Sequence, residues 1–143
     1  MICNTAGFAL IRSFESCRLT AYRDVGGLPT IGWGHRDATT AIDQTCTQLQ
    51  ADAWLFDDVQ NVCNQLTQVI KVPVTENQFA AMTSLTYNLG IGRIRDSLTM
   101  KLLNQKNYAV VPNHMLLWNK VNGVMSNGLI RRRKAEVQLW NTP

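Results

Sequence analysis

Apolar residues recur at helical spacing over several separate stretches of the chain. Phe8, Ile11 and Phe14, with Leu10 beside them and Cys17 one step further round, predict a first helix with one inward face. Asn4 or Thr5 is placed to cap it, because a short side-chain oxygen there satisfies free backbone N–H groups. The pattern runs out near Cys17 or Arg18. From Leu19 to Trp33 the period changes. Leu19-Thr20-Ala21-Tyr22-Arg23 and Pro29-Thr30-Ile31-Gly32-Trp33 are β-prone, and Val25-Gly26-Gly27-Leu28 between them predicts a hairpin turn.

Thr40-Ala41-Ile42-Asp43 has the form of a capping box with Asp in the Glu position, and it predicts the start of a long second helix. One stripe there comprises Ile42, Cys46, Leu49, Ala53 and Phe56, and an adjacent one comprises Leu55, Val59, Val62 and Leu66. So wide an apolar face predicts a core helix. Pro73 closes that region. Thr75-Glu76-Asn77-Gln78 is a second capping box, followed by Phe79, Met82, Leu85 and Leu89 and stopped by Gly90, which predicts a compact amphipathic helix with a glycine C-cap.

Asp96 or Ser97 opens a further helix through Leu98, Leu102 and Leu103, fading at Asn104 to Asn107. Between Tyr108 and Trp118, Pro112 predicts either a helix beginning near it or a kink, since proline lacks the N–H donor. Asn119 to Gly123 reads as a loop. The final helix runs from about Gly128 to Trp140, with Leu129, Ile130, Val137 and Trp140 inward. One hairpin near the N-terminus and about six helices elsewhere predict an α+β fold, mainly helical.

The length of 143 residues fits one domain, with a small β lobe over about residues 19–40 and helices for the remainder. An apolar content of 45% is that of a chain that buries a core. Charge is uneven. Residues 1–70 carry 4 basic and 7 acidic side chains, net −3, and residues 71–143 carry 10 basic and 3 acidic, net +7. A basic half suits a polyanionic partner, and nucleic acid, a membrane surface and an anionic cell wall are all compatible with it. No apolar run approaches the ~18 residues of a membrane span, and Met1 to Gly7 lack the basic start and apolar stretch of a secretory signal. The expectation is synthesis in the cytosol without stable membrane insertion. Cys3, Cys17, Cys46 and Cys63 are too sparse for a disulfide scaffold and read mostly as buried thiols, with one late-forming disulfide still open.

Several motifs carry little. His35-Arg36-Asp37 matches the start of a kinase catalytic loop, but that motif needs Asn at position 42, which is Ile. Gly32-Trp33-Gly34 lacks the third glycine of a dinucleotide fingerprint. His35 and His114, with scattered cysteines, give no metal-ligand spacing, so no metal is expected. Cys17 and His35 could pair as nucleophile and base, although Cys17 on a buried helix face and His35 in a structural hydrogen bond is the simpler reading. Arg131-Arg132-Arg133-Lys134 points around its helix at ~100° per residue and forms no single basic face. That arrangement suits a solvated helix with one buried arginine, Arg132 pairing with Glu136, better than a nucleic-acid reader.

Glu15 stands apart. It follows Phe14 at the end of the first helix, beside an apolar stripe and just before the hairpin that holds Asp24 at its turn and Thr30 on its return strand. Two carboxylates in unlike environments are what glycoside hydrolysis requires. A partly desolvated Glu can protonate the leaving oxygen, while a solvated Asp orients water or stabilises positive charge on the sugar.

The surrounding text is more specific than the spacing. Phe14-Glu15-Ser16-Cys17-Arg18-Leu19-Thr20-Ala21-Tyr22-Arg23-Asp24, followed by Pro29-Thr30-Ile31-Gly32-Trp33-Gly34-His35, resembles the active-site region of the phage-type lysozymes, the endolysins of glycoside hydrolase family 24. The resemblance continues in Gln78 to Met82 with Tyr87-Asn88-Leu89-Gly90, and in Gly128 to Glu136. It implies a lysozyme-like fold and a muramidase acting on bacterial peptidoglycan during phage lysis, without cofactor. Glu15 is implied as the general acid, Asp24 as the carboxylate that positions or activates water, and Thr30 as its hydrogen-bonding companion. It also implies inversion, an arginine of the last helix (Arg131, Arg132 or Arg133) beside the Glu, a structural His35, and passage from the host cytoplasm to the wall through a separate pore. A monomer is the default. A lytic transglycosylase, or a wall-binding or nucleic-acid-binding module on the same fold, is the alternative, and the joint presence of Glu15, Asp24 and Thr30 favours hydrolysis.

Overall fold

Helix α1 spans Thr5–Phe14 in the computed structural model, which describes residues 1–143. Asn4 begins it, its Oδ1 accepting from the Gly7 N–H at 3.0 Å. The helix stops earlier than its apolar spacing predicts, so Glu15 lies in a bend beyond it. Cys17 is therefore not on the buried face of α1. Strand β1 (Arg18–Arg23) pairs antiparallel with β2 (Pro29–Gly32), as the hairpin pattern predicts. A third strand, β3 (His35–Arg36), follows two turn residues and extends the hairpin to a three-stranded sheet in the order β1-β2-β3.

The segment Thr40 to Asp43 does not open a helix. Asp43 takes a φ of 71°, and Thr45 bridges back to Thr20 of β1. Helix α2 begins at Gln48 and runs to Val69, with Thr47 as its side-chain cap, Oγ1 accepting from the Gln50 N–H at 3.1 Å. The later start re-aims the helix. Leu55, Val59 and Leu66 are buried as expected, joined by Ala51 and Cys63, whereas Ile42, Leu49 and Phe56 of the other stripe are 40%, 81% and 57% exposed.

Helix α3 (Glu76–Leu89) has the predicted capping box, with Thr75 accepting from the Gln78 N–H and the Gln78 side chain accepting from the Thr75 N–H. Gly90 ends it at φ 87° and ψ 146°, an extended glycine conformation and not a left-handed helical one. Phe79 to Thr86 are all buried, so this stretch is enclosed on every side. Its alanines, serine and threonines are small enough to let neighbours approach closely.

A short helix α4 (Ile91–Arg95), absent from the sequence pattern, precedes α5 (Leu98–Asn104), which Ser97 caps. Helix α6 spans Val111–Leu116, with Pro112 in its first turn where the missing N–H costs nothing. Residues 119–126 are not a plain loop. Strands β4 (Lys120–Val121) and β5 (Val124–Met125) form a small hairpin about Asn122 and Gly123, whose φ values of 51° and 79° suit a tight β-turn. Helix α7 (Asn127–Trp140) packs chiefly on α3. Its buried residues are Arg132, Arg133, Glu136 and Trp140, while Leu129, Ile130 and Val137 are only half-buried.

The chain forms two compact units, one of Met1–Ile11 with Val62–Pro143 and one of Arg12–Asn61. The first has its core in α3, α7 and the helices between them. The second contains the three-stranded sheet and the greater part of α2.

Candidate active site

Leu28, at the end of the β1–β2 turn, joins two of the candidate residues. Its N–H donates to Asp24 Oδ1 at 2.8 Å, and its carbonyl accepts both the Asp24 N–H at 2.9 Å and the Thr30 hydroxyl at 3.0 Å. Gly27, at φ 80°, lets the chain turn sharply enough to bring Leu28 back, and its N–H donates to the Asp24 carbonyl at 2.9 Å. Thr30 is buried on β2 opposite Tyr22, while the Asp24 side chain keeps 14% exposure. The Leu28 N–H therefore does two things at once: it helps close the hairpin and fixes one carboxylate oxygen of Asp24.

The second oxygen, Oδ2, faces Arg36 Nε at 3.0 Å. Arg36 reaches it from β3, where it lies directly opposite Thr30 in the β2–β3 ladder. Glu15 belongs to the same unit as Asp24 and Thr30 and is half-buried in the bend after α1. Its side chain follows the last turn of α1 and precedes the extended approach to β1.

The Gly32-Trp33-Gly34-His35 run supports this hairpin. Gly32 and Gly34 both have positive φ, 69° and 84°, so the turn between β2 and β3 suits glycine at each end. A Cβ on Gly32 would lie 3.2 Å from the Ala51 Cβ, so the bare glycine lets α2 close on the sheet. Trp33 Nε1 donates to Asp52 Oδ1 at 2.8 Å, and Gln48 Nε2 donates to the same atom at 2.9 Å. These two donors hold the Asp52 carboxyl below its usual range. His35 Nδ1 lies 2.8 Å from Asp58 Oδ2, and its ring stacks on Trp54 at 4.8 Å between centroids. Burial pushes Asp58 up from the ordinary carboxylate range, against the pull of His35. His35 makes a hydrogen bond within the unit, as expected. Cys17 does not pair with it; the Cys17 thiol meets the Gln48 side chain, whose Nε2 donates to Sγ at 3.6 Å.

The three arginines of α7 lie in the other compact unit. Arg131 is exposed. Arg132 and Arg133, both buried, converge on Glu136: Arg132 Nε on Oε1 at 3.3 Å, Arg133 Nε on Oε2 at 2.7 Å. The i,i+4 pair is as predicted, but α7 buries two arginines where one was expected.

Nothing in the sequence singles out Arg36, Asp52 or Asp58 as parts of this unit. Arg36 was visible only as a letter of a failed kinase motif, and its partner lies twelve positions back across a turn. Chemically, the unit offers a half-buried Glu and an anchored Asp beside a buried hydroxyl. No group of three or more His, Cys, Asp or Glu side chains is arranged to hold a metal ion.

Residues 12–136 match the family described as phage lysozyme. The chain is similar to the endolysin of Bacillus phage B103, with 38% identity over 139 residues, covering 96% of this chain and 53% of that protein. It is 38% identical over 140 residues to the endolysin of Acyrthosiphon pisum secondary endosymbiont phage 1, covering 95% of each. Among solved structures, the endolysin from Escherichia coli O157:H7 phage FAHEc1 superposes with a TM-score of 0.87 at 36% identity, over 99% of this chain and 94% of that one. The chain spans about half the length of the Bacillus phage relatives it matches.

Proposed function

The chain belongs to the phage lysozyme family, and we propose that it is a muramidase that hydrolyses the β-1,4 bond between N-acetylmuramic acid and N-acetylglucosamine of bacterial peptidoglycan, with inversion, during host lysis. The observation that carries this reading is the Leu28 junction, which ties the Asp24 carboxylate and the Thr30 hydroxyl to one backbone unit. A carboxylate anchored at one oxygen can still accept a hydrogen bond from water through its remaining lone pairs.

In this reading Glu15 donates its proton to the glycosidic oxygen as the C1–O bond breaks. Positive charge develops on the departing sugar ring, and a water held by Asp24 attacks C1 from the opposite face. The Asp24 carboxylate takes the proton that water loses. Thr30 steadies the water or the carboxylate. Inversion needs room for the water, which corresponds to carboxylates ~6.5 to 9.5 Å apart. The substrate is a polyanionic wall, in keeping with the basic second half of the chain.

Mass analysis of the fragments released from purified peptidoglycan tests the reaction type. Hydrolysis leaves a hydrated reducing end, whereas a transglycosylase leaves an anhydro end and a binding module releases nothing. Glu15→Gln should abolish release with little change in fold, and full activity in that variant would remove Glu15 from the acid role. The anomeric signal of fresh product, followed by NMR, distinguishes inversion from retention. The proposal includes the route: synthesis in the host cytoplasm and access to the wall through a separately supplied pore. No helix is long and apolar enough to cross a membrane. Cells expressing the chain should then lyse when their inner membrane is permeabilised, and lysis without permeabilisation would argue for another route.

A further inference from the structure

We infer that Arg36 is the positioning residue of the Asp24 carboxylate, fixing the oxygen that the turn leaves unanchored; the inference rests on reading Asp24 as the group that directs the attacking water. The Leu28 N–H holds Oδ1 at 2.8 Å, and Arg36 Nε holds Oδ2 at 3.0 Å. The terminal torsion of an aspartate is broad and weakly restrained by its own covalent structure. With Leu28 alone the carboxylate can pivot about Oδ1. A second donor on Oδ2 sets its plane, and with it the directions of the lone pairs that would face a water.

Arg36 is itself well founded. It lies opposite Thr30 in the β2–β3 ladder, so one rung of the sheet carries both the buried hydroxyl and the guanidinium that meets Asp24. The neighbouring residue of β3, His35, is fixed by Asp58 and by stacking on Trp54. The strand is therefore pinned to α2 through His35 while the next residue, Arg36, meets Asp24. Arg36 is 62% exposed, so its contact with Asp24 adds little to folding stability. A role in aligning the carboxylate and a role in holding the fold thus separate by experiment.

Turnover of soluble peptidoglycan fragments by Arg36→Leu, Arg36→Lys, Asp24→Asn and the double variant Arg36→Leu/Asp24→Asn provides the test. Arg36→Leu should lower kcat roughly tenfold or more, since misalignment of a reacting group is costly, and KM should stay within about twofold. Its melting temperature should match that of the parent. Arg36→Lys should recover part of the loss, because an ammonium restores the charge without the directed guanidinium edge. In the Asp24→Asn background, Arg36→Leu should cost nothing further. Parental kcat in Arg36→Leu, or losses that multiply independently in the double variant, would overturn the inference while leaving the Asp24 reading intact. Parental activity in Asp24→Asn would instead remove Asp24 from its proposed role, and the inference about Arg36 with it.

Discussion

Arg133 Nε and Glu136 Oε2 meet at 2.7 Å on α7, and neither side chain has any exposed surface. The other carboxylate oxygen accepts from the Ser84 hydroxyl at 2.7 Å and from Arg133 at 3.0 Å, and Arg132 lies 3.3 Å from it. Arg133 also donates to Asn88 Oδ1 at 2.8 Å and to the Trp118 carbonyl at 3.3 Å. Burial pushes Glu136 up and Arg133 down from their ordinary ranges, and their mutual attraction opposes both shifts. Two guanidiniums on one buried carboxylate thus join α7 to α3.

Removing the carboxylate leaves two buried cations without their counter-charge. Glu136→Gln should cost about 3–5 kcal/mol of stability, read from urea unfolding with the denaturant dependence unchanged. Replacing Arg133 and Glu136 together by Met and Leu should cost less than Glu136→Gln alone, because one buried cation, Arg132, then loses this counter-charge and not two. A loss below about 1 kcal/mol in Glu136→Gln would mean that the cluster is solvated in solution.

Gly32→Ala should destabilise by about 1–3 kcal/mol, from the positive φ and from the contact with Ala51 together. Adding Ala51→Gly should recover only part, since the backbone conformation stays unfavourable. Thermal melting of the single and double variants separates the two causes. Full recovery in the double variant would assign the whole cost to the Ala51 contact.

Asp52 has its carboxyl held low by Trp33 and Gln48. Its folded value lies below its unfolded one, so the stability it contributes is present above the unfolded range near pH ~3.9 and is lost as pH falls through the folded value. Asp52→Asn should therefore lower the melting temperature most at pH 7 and progressively less as pH falls below about 4, which flattens the acid limb. An unaltered acid limb would refute this account.

The four thiols should separate by reactivity. Burial pushes the Cys3 thiol up to about 12 and raises Cys63 as well. Cys17 and Cys46 are half-buried and within reach of reagent, although burial raises the Cys46 thiol too. Alkylation of the native protein at pH 8 should label Cys17 and Cys46 first and reach Cys3 and Cys63 only after unfolding, because the thiolate is the reacting species. Equal labelling rates, followed by peptide mass spectrometry, would contradict this order.

The elements most legible in the sequence are those whose signals lie within a few residues. Thr75 and Gln78 cap each other across one turn, and α3 begins there. Ser97 starts α5, and the two glycines after Val25 make the hairpin. The Asn122-Gly123 pair carried the same kind of local signal for β4 and β5, although the segment read as a loop. Thr40 to Asp43 carried a false one. A capping box specifies a helix only if the following residues are free to coil, and here Thr45 is drawn into pairing with Thr20. The apolar spacing of α1 through Cys17 failed similarly, because the chain turns away after Phe14 to supply β1.

From the sequence alone came the α+β organisation, the order of the main helices, and the placing of Asp24 and Thr30 on one hairpin. Each of these depends on periodicity or on chemistry between near neighbours. Tertiary structure alone decided which faces were buried: that α2 turns Leu49 and Phe56 to solvent, that α7 buries two arginines around Glu136, and that Arg36 meets Asp24. A charged side chain can be buried only where other elements bring donors and counter-charges to it. Ser84 and Asn88 come from α3 and Trp118 from the segment after α6, separations that no helical period or turn motif records.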